Sequence, residues 1–138
     1  MDAESFAQKF AKTFNSGNVS ALGQLYAPGA VLRHPMMGVL EGRAAIEAGE
    51  GPMFAAFSEI DWKLKQAIGQ GSLVAIEFTI RARNTASLAT PGGMVPATNK
   101  VVSLEASAFF RLDAQGTILE EQRYLDTAQF FRQLGLAG

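Results

Sequence analysis

Asp126 and His34 are the two side chains in this sequence best suited to proton transfer. Asp126 directly follows the last predicted strand, and alternation along that strand puts it on one face with Tyr124, Gln122 and Glu120. A face this polar is unlike a dry core, because each buried polar group needs a partner. The pattern predicts that Asp126 points into a pocket that holds water or a ligand.

A structural role for Asp126 stays open beside the catalytic one. The run Asp126-Thr127-Ala128-Gln129 has the form of a capping box at the start of a C-terminal helix. Such a cap stabilises a helix by about 1 kcal/mol without any chemistry. Both roles are compatible with the sequence.

His34 is the only histidine in the chain. It shares a strand face with Ala30 and Leu32, which predicts an inward orientation. An imidazole titrates near 6.5, so it can exchange protons close to neutral pH. The alternative is a structural histidine that is hydrogen-bonded before the turn at Pro35. With one histidine and no cysteine, neither a transition-metal site nor a disulfide is expected.

Composition indicates a globular protein that binds neither nucleic acid nor membranes. The 138 residues are 48% hydrophobic, and the net charge is -1 with no basic block. No apolar run approaches the roughly 18 residues of a membrane helix. The acidic N-terminus does not resemble a secretory signal, so we expect a cytoplasmic location.

Helical periodicity dominates the first part of the chain. Residues 3–15 form a predicted amphipathic helix, and Asn18 is expected to cap a second helix from Val19 to Tyr26. Pro28-Gly29 is a predicted turn. A third helix begins near Arg43, and we expect Gly49, Gly51 and Pro52 to interrupt it.

From residue 61 onward the hydrophobic period changes to two. Strands are predicted over 61–68, 73–84, 101–112 and 117–125, with a short one over 30–34. A loop or irregular strand is predicted over 36–42, and a long loop over 85–99. In the predicted strand over 61–68, Trp62, Leu64 and Ile68 should face the core. Helices followed by a meander predict a single α+β domain over 1–138, with helices on one face of a curved, mostly antiparallel sheet.

Three stretches resemble the SnoaL-like branch of the nuclear transport factor 2-like superfamily. They are Phe6-Ala7 through Asn18, Leu25-Tyr26-Ala27-Pro28-Gly29-Ala30-Val31, and His34-Pro35 through Gly42-Arg43-Ala44-Ala45-Ile46. The ending from Arg111-Leu112 to Gln133-Leu134-Gly135 is similar to SnoaL-like polyketide cyclases. The resemblance implies a cystatin-like conical half-barrel with a short C-terminal helix. It also implies an apolar pocket between helices and sheet, and a homodimer through the sheet face.

The resemblance also suggests roles for individual residues. His34 stands where ketosteroid isomerases carry their base, and Asp126 stands where SnoaL-like cyclases carry a general acid/base. Phe10 occupies the place of the isomerase oxyanion tyrosine and has no hydroxyl. Asn84 replaces a histidine of many relatives, and Gln122 replaces a tryptophan; an asparagine can orient a carbonyl or a water.

Together these observations predict a cofactor-independent acid/base enzyme, either an isomerase or an aldol-type cyclase. It would act next to a carbonyl of a small hydrophobic molecule, with His34 and Asp126 as the catalytic pair. A hydrophobic-ligand-binding or dimerisation domain without turnover is the alternative. An epoxide hydrolase ranks lower, because Arg33 and Arg81 fall on outward faces and no inward Asp-Arg-Asp set is evident. The expected substrate-binding residues are Asn84, Tyr124, Trp62, Phe10, Phe14, Met36, Met53, Phe54, Glu120 and Gln122.

Overall fold

A computed structural model describes residues 2–136. Four helices and eight strands are formed in this range. The helices are α1 (Ala3–Asn15), α2 (Val19–Gly23), α3 (Arg43–Ala56) and α4 (Thr127–Gln133). The strands are β1 (Tyr26–His34), β2 (Gly38–Glu41), β3 (Phe57–Gln70), β4 (Leu73–Asn84), β5 (Leu88–Thr90), β6 (Gly93–Val95), β7 (Val101–Leu112) and β8 (Ile118–Leu125).

Six strands form one curved, open sheet in the order β2-β1-β8-β7-β4-β3. Only β1 and β8 pair in parallel; the other neighbours are antiparallel. Strands β5 and β6 form a separate hairpin. The predicted α+β class and mostly antiparallel sheet are confirmed.

The main core lies between α1 and the concave face of the sheet. Phe6, Phe10 and Phe14 project from successive turns of α1 and are all buried. Phe10 packs against Trp62, which stacks on Phe78 with ring centroids 4.3 Å apart. A second apolar cluster joins the end of α3 to α4.

Several predicted boundaries are wrong near the N-terminal half of the sheet. Helix α2 ends at Gly23 rather than Tyr26, and β1 begins at Tyr26 and continues through the predicted turn at Pro28-Gly29. The register of β1 against β8 shifts between Tyr26 and Val31, so the proline lies in an irregular part of the strand. The segment 36–42, predicted as a loop or irregular strand, contains β2, and the predicted loop over 85–99 contains the β5–β6 hairpin.

Helix α3 also differs from the prediction, because it continues through Pro52. Its buried residues Ile46 and Ala56 lie on either side of the proline, and both are fully covered. Tertiary packing at both ends therefore holds a helix that local propensity would break.

A β-bulge in β3 explains why one predicted core residue is exposed. Leu64 pairs with Phe78 and Gln66 pairs with Glu77, which leaves Lys65 as the extra residue. Beyond the bulge Ala67 takes the inward side. The prediction that Ile68 faces the core is wrong; it is 65% exposed.

A second bulge lies in β8 and matters more for the site. Leu112 pairs with Ile118 and Arg111 pairs with Glu120, so Leu119 is the extra residue. Alternation restarts after it. As a result Ile118 is buried, and so are Glu121 and Arg123 further along the strand.

Candidate active site

A cavity opens between α3, α4 and the concave face of the sheet. Its volume is about 90 Å³, measured as the space open to the centre of a water-sized sphere. One water needs roughly 10–15 Å³ on this measure, so the cavity holds several waters or a small organic group. Apolar side chains form most of the wall: Phe14, Met36, Met37, Met53, Phe54, Phe57, Ile60, Trp62, Phe78, Ile80, Ala82, Val102, Leu104, Leu125 and Phe130.

The remaining lining residues are His34, Glu50 and Arg123. All three are less than a tenth exposed. Titratable side chains in an apolar cavity are the usual mark of a functional site. Each is positioned by a different element of the fold, as follows.

Arg123 connects two carboxylates inside the protein. Its Nε donates to Glu121 Oε2 at 2.7 Å, and its Nη1 donates to Glu50 Oε1 at 3.2 Å. Tyr26, at the start of β1, donates its hydroxyl to Glu121. The result is a buried cluster of Tyr26, Glu121, Arg123 and Glu50.

All hydrogen bonds that the guanidinium makes lie within this cluster. Nη1 contacts the second oxygen of Glu50 at 3.4 Å, while Nη2 contacts Glu121 Oε1 at 3.2 Å and Tyr26 Oη at 3.4 Å. Nη1 meets both oxygens of one carboxylate, so Nε, Nη1 and Nη2 are each engaged within the cluster. Burial alone would lower the pKa of Arg123, but Glu121 and Glu50 raise it above its usual value, so the residue stays cationic.

Glu50 reaches the cavity from the buried face of α3. It lies one turn after Ile46, and Met53 and Phe54 follow one turn later. Burial raises the pKa of Glu50; Arg123 opposes the shift, and the nearby Glu121 adds to it. A carboxyl with a raised pKa is suited to take up and release a proton nearer neutral pH.

His34 presents one defined nitrogen to the cavity. Its Nδ1 accepts hydrogen bonds from the backbone N–H groups of Met36, at 3.0 Å, and Met37, at 3.3 Å. An accepting Nδ1 requires the tautomer with hydrogen on Nε2. Burial, followed by the charge of Arg123, lowers the pKa of His34 to about 3. The side chain is therefore a neutral N–H donor.

The structure places about half of the predicted site residues at this cavity. His34 lies on its wall together with Phe14, Met36, Met53, Phe54 and Trp62. Phe10 does not, because it is packed in the core against Trp62 and Phe110.

The predicted inward face of β8 is wrong. Tyr124 is 52% exposed and Glu120 pairs with Arg33 on the outer surface. Gln122 is half-buried and contacts the Arg33 carbonyl. The bulge at Leu119 is the physical reason, since it reverses the alternation on which the prediction relied.

Asp126 caps a helix and is exposed. Its Oδ1 accepts a hydrogen bond from the Gln129 backbone N–H at 3.0 Å, which is the N-cap contact of α4. Asp126 does not line the cavity with His34. Of the two roles that the sequence left open, the geometry supports the cap.

Asn84 is buried as predicted, but it faces backbone instead of the cavity. Its Nδ2 donates to the carbonyls of Ala56 and Ala86, and its Oδ1 accepts from the N–H and hydroxyl of Thr98. Two donors and two acceptor positions are all that an asparagine offers. No capacity remains for a substrate.

Four residues of the cluster were missed as site residues: Tyr26, Glu50, Glu121 and Arg123. Glu50 could have been found from spacing, because the series Ile46, Glu50, Met53, Phe54 follows one helical face. The pair Glu121 and Arg123 could not, because a bulge leaves no reliable signal in a single sequence. No inward Asp-Arg-Asp set was expected; the described residues contain instead a Glu50–Arg123–Glu121 set, which the sequence reasoning did not consider.

Comparison with known families agrees with this architecture. A family model described as the SnoaL-like domain matches residues 7–121. The chain belongs to the SnoaL-like domain family. No curated protein matches its sequence.

Solved structures of related fold cover nearly the whole chain. A Catenulispora acidiphila protein with a ketosteroid isomerase-like fold, in complex with trimethylamine, has a TM-score of 0.80 at 18% identity, covering 98% of this chain and 95% of that one. A candidate polyketide cyclase of Pseudomonas putida has a TM-score of 0.76 at 23% identity, covering 96% and 98%. The epoxide hydrolase/cyclase-like enzyme SalBIII, of pyran ring formation in salinomycin, scores 0.73 at 19% identity, covering 91% and 92%.

At these identities the likeness extends to the fold, which is that of the nuclear transport factor 2-like superfamily. Within residues 2–136 no helix combines the length and apolarity needed to cross a bilayer. Nor do three or more carboxylate or imidazole side chains in that range gather into a metal-binding group.

Proposed function

We propose that this SnoaL-like domain is an enzyme that moves a proton next to the carbonyl group of a hydrophobic molecule, using only its own side chains. The observation that carries the proposal is the buried carboxyl of Glu50 on the wall of an otherwise apolar cavity. An apolar wall favours a hydrophobic ligand, and the carboxyl supplies a proton acceptor beside it.

In the proposed reaction Glu50 is the base and His34 stabilises the oxygen. The Glu50 carboxylate takes a proton from the carbon next to the carbonyl, and the C–H electron pair forms the enolate. The negative charge develops on oxygen, where the Nε2–H of His34 donates a hydrogen bond. Glu50 then returns the proton to another carbon of the same molecule, which isomerises it. Attack of the enolate carbon on a second carbonyl would instead give aldol closure: a C–C bond forms, the C=O π bond opens to an alkoxide, and Glu50 gives that alkoxide the proton it had taken.

This assignment changes the role first expected for His34. A base must accept a proton, but Nδ1 already accepts two backbone hydrogen bonds and Nε2 carries hydrogen. A neutral imidazole is instead a good donor to a developing oxyanion, as in triosephosphate isomerase. The donor that the sequence seemed to lack at Phe10 is thus supplied by His34.

The probe for this activity is 3-cyclohexen-1-one, a small ketone that needs no knowledge of the natural substrate. Its conversion to the conjugated 2-cyclohexen-1-one requires one proton to leave beside the carbonyl and one to arrive at the γ-carbon. Ultraviolet absorbance of the conjugated enone follows the rate. We expect turnover above buffer that falls about 100-fold or more in Glu50→Gln and about 100-fold in His34→Ala.

The control for these variants is Glu47→Gln, on the same helix but with its side chain against Gly23 of α2. It should keep full turnover. Equal rates for Glu50→Gln and the unmodified protein would overturn the role of Glu50.

Epoxide opening is a second candidate, favoured by the Glu50–Arg123–Glu121 set. In that reaction a carboxylate held by arginine activates a water, which opens a strained ring. Incubating cyclohexene oxide in ¹⁸O-labelled water distinguishes the two candidates. Labelled diol formed only with Glu50 intact would favour hydrolysis. Binding of probe ketones and epoxides without any turnover would favour the ligand-binding alternative.

A further inference from the structure

Within the part of the chain that the structure describes, Arg123 is the only cationic side chain on the cavity wall. A buried arginine in a ligand cavity normally signals an anionic ligand, because its forked donors match carboxylates and phosphates. In this protein the partners of Arg123 argue against an anionic ligand. All of its N–H contacts go to Glu121, Glu50 and Tyr26.

Glu50 is the carboxylate partner of Arg123 that lies on the cavity wall. Glu121 and Tyr26 are buried members of the cluster and neither lines the cavity. Glu50 does line it, and its two oxygens occupy Nη1 of the guanidinium at 3.2 and 3.4 Å. A carboxylate ligand that entered the cavity would therefore find Nη1 already hydrogen-bonded to Glu50. It would also lie next to one or two carboxyl groups of the protein.

We propose that Glu50 determines the charge preference of the cavity by occupying the arginine donor that would otherwise bind an anionic ligand. With Glu50 in place the cavity selects uncharged molecules. Without it, Nη1 of Arg123 faces the cavity and the site accepts a carboxylate where the Glu50 carboxylate had been. The remaining ion pair with Glu121, 2.7 Å at Nε, keeps Arg123 fixed in that position.

The inference deepens the proposed function, because it concerns the ligand of the same cavity, but its test measures binding alone. Trp62 is the only tryptophan of the chain and lines the cavity, so its fluorescence reports occupancy. Four probes of one shape absorb little when the tryptophan is excited at the long-wavelength edge of its band: cyclohexyl methyl ketone, cyclohexanecarboxylate, cyclohexylmethylamine and ethylcyclohexane.

For the unmodified protein at neutral pH we expect the ketone to bind at least tenfold more tightly than the carboxylate. In Glu50→Ala the affinity for cyclohexanecarboxylate should rise at least tenfold, whereas that for ethylcyclohexane should change less than threefold. Glu50→Gln should shift carboxylate binding in the same direction by a smaller factor, and it decides the question if Glu50→Ala does not fold. Glu47→Gln should resemble the unmodified protein.

Carboxylate affinity equal to or above ketone affinity in the unmodified protein would overturn the inference. So would an unchanged carboxylate affinity in both folded Glu50 variants. Tightest binding of the amine would also contradict it, since it would show a cavity that selects cations. If the expected selectivity is found but 3-cyclohexen-1-one is not converted, the proposed function fails and the role of Glu50 in selectivity stands.

Discussion

At the scale of single residues, the site depends on which hydrogen bonds each polar side chain already makes within the protein. Glu50 keeps lone pairs and His34 keeps its Nε2–H without a protein partner, whereas Asn84 has no position left and Arg123 makes all its hydrogen bonds within its own cluster. This difference separates groups that can act on a ligand from groups that hold the protein together. Burial alone does not separate them, because all four are buried.

Asp126 is predicted to contribute to stability and not to turnover. Asp126→Ala should lower the free energy of unfolding by about 1 kcal/mol, because the α4 cap is lost, while Asp126→Asn should change it by a few tenths. Urea denaturation measures both. Neither variant should alter conversion of 3-cyclohexen-1-one by more than about twofold. A large loss of turnover in folded Asp126→Asn would restore the catalytic role first expected for this residue.

His34 should remain neutral in the folded protein between pH 5 and pH 8. Its pKa is lowered from 6.5 to about 3, so below pH 6.5 the unfolded chain binds a proton that the folded protein does not. The histidine therefore supports stability fully above pH 6.5 and loses that contribution as pH falls toward 3. At pH 5 the loss is about 2 kcal/mol.

Two measurements check this prediction for His34. The imidazole proton resonances of this single histidine should not titrate between pH 5 and 8. The stability difference between unmodified protein and His34→Gln should shrink as pH falls from 7 to 5. Comparing the two proteins removes the effect of Glu50, whose raised pKa acts in the opposite direction. A histidine resonance with a midpoint near 6.5 would contradict the prediction.

At the scale of elements, the site is assembled where α3, β1 and β8 meet over the sheet. Each contributes through a local irregularity: the continuation of α3 through Pro52, the register shift in β1, and the bulge in β8. Such irregularities re-aim side chains near functional sites. Asn84 then ties the end of α3 to the strands beneath it through the Ala56 carbonyl.

Asn84 should be essential for stability for this reason. Asn84→Ala removes four hydrogen bonds in a fully buried place and leaves the backbone N–H of Thr98 without its Asn84 partner. We expect a loss of about 3 kcal/mol in the free energy of unfolding, measured by urea denaturation. Thr85→Ala, the exposed neighbour, is the control and should cost less than about 0.5 kcal/mol. Similar losses in the free energy of unfolding for Asn84→Ala and Thr85→Ala would contradict this structural role of Asn84.

The sequence alone predicted the bounds of those elements whose hydrophobic pattern continues without interruption. Strands β4 and β7 match their predicted bounds, and α1 matches because its phenylalanines recur once per turn. It did not predict which way side chains point beyond a β-bulge, where one extra residue shifts the alternation, as at Lys65 and Leu119. Helical spacing predicted Phe14, Met53 and Phe54 of the apolar wall, but most of that wall comes from strands. The Glu121–Arg123 pair was not, because its orientation depends on a backbone irregularity.

At the scale of the whole molecule, we propose that the outer face of the sheet is the contact of the expected homodimer. Phe109 on β7 and Tyr124 on β8 are about half exposed and pack edge to face, with ring centroids 6.2 Å apart. Arg33 with Glu120, and Lys65 with Glu105, lie on the sheet as exposed ion pairs. Paired aromatics within mixed charges are typical of a two-fold interface.

Phe109→Lys should convert the expected dimer into a monomer. The substitution places a charge at the centre of the aromatic pair, where it would be desolvated on association. Sedimentation velocity should give twice the chain mass for the unmodified protein and the chain mass for the variant. Met94→Lys, on the β5–β6 hairpin, is the control because Met94 is 68% exposed away from the main sheet. A monomeric unmodified protein at high concentration would contradict the homodimer.

The extra residue at Leu119 also bears on how the family diversifies. Strand β8 carries two complete sets of side chains, Glu121 and Arg123 on one side and Gln122 and Tyr124 on the other. Gain or loss of a single residue before them would exchange which set faces the interior of the fold. A one-residue insertion or deletion is thus a short evolutionary route between different chemistries. Residue roles aligned from relatives beyond this point are offset unless the bulge is matched as well.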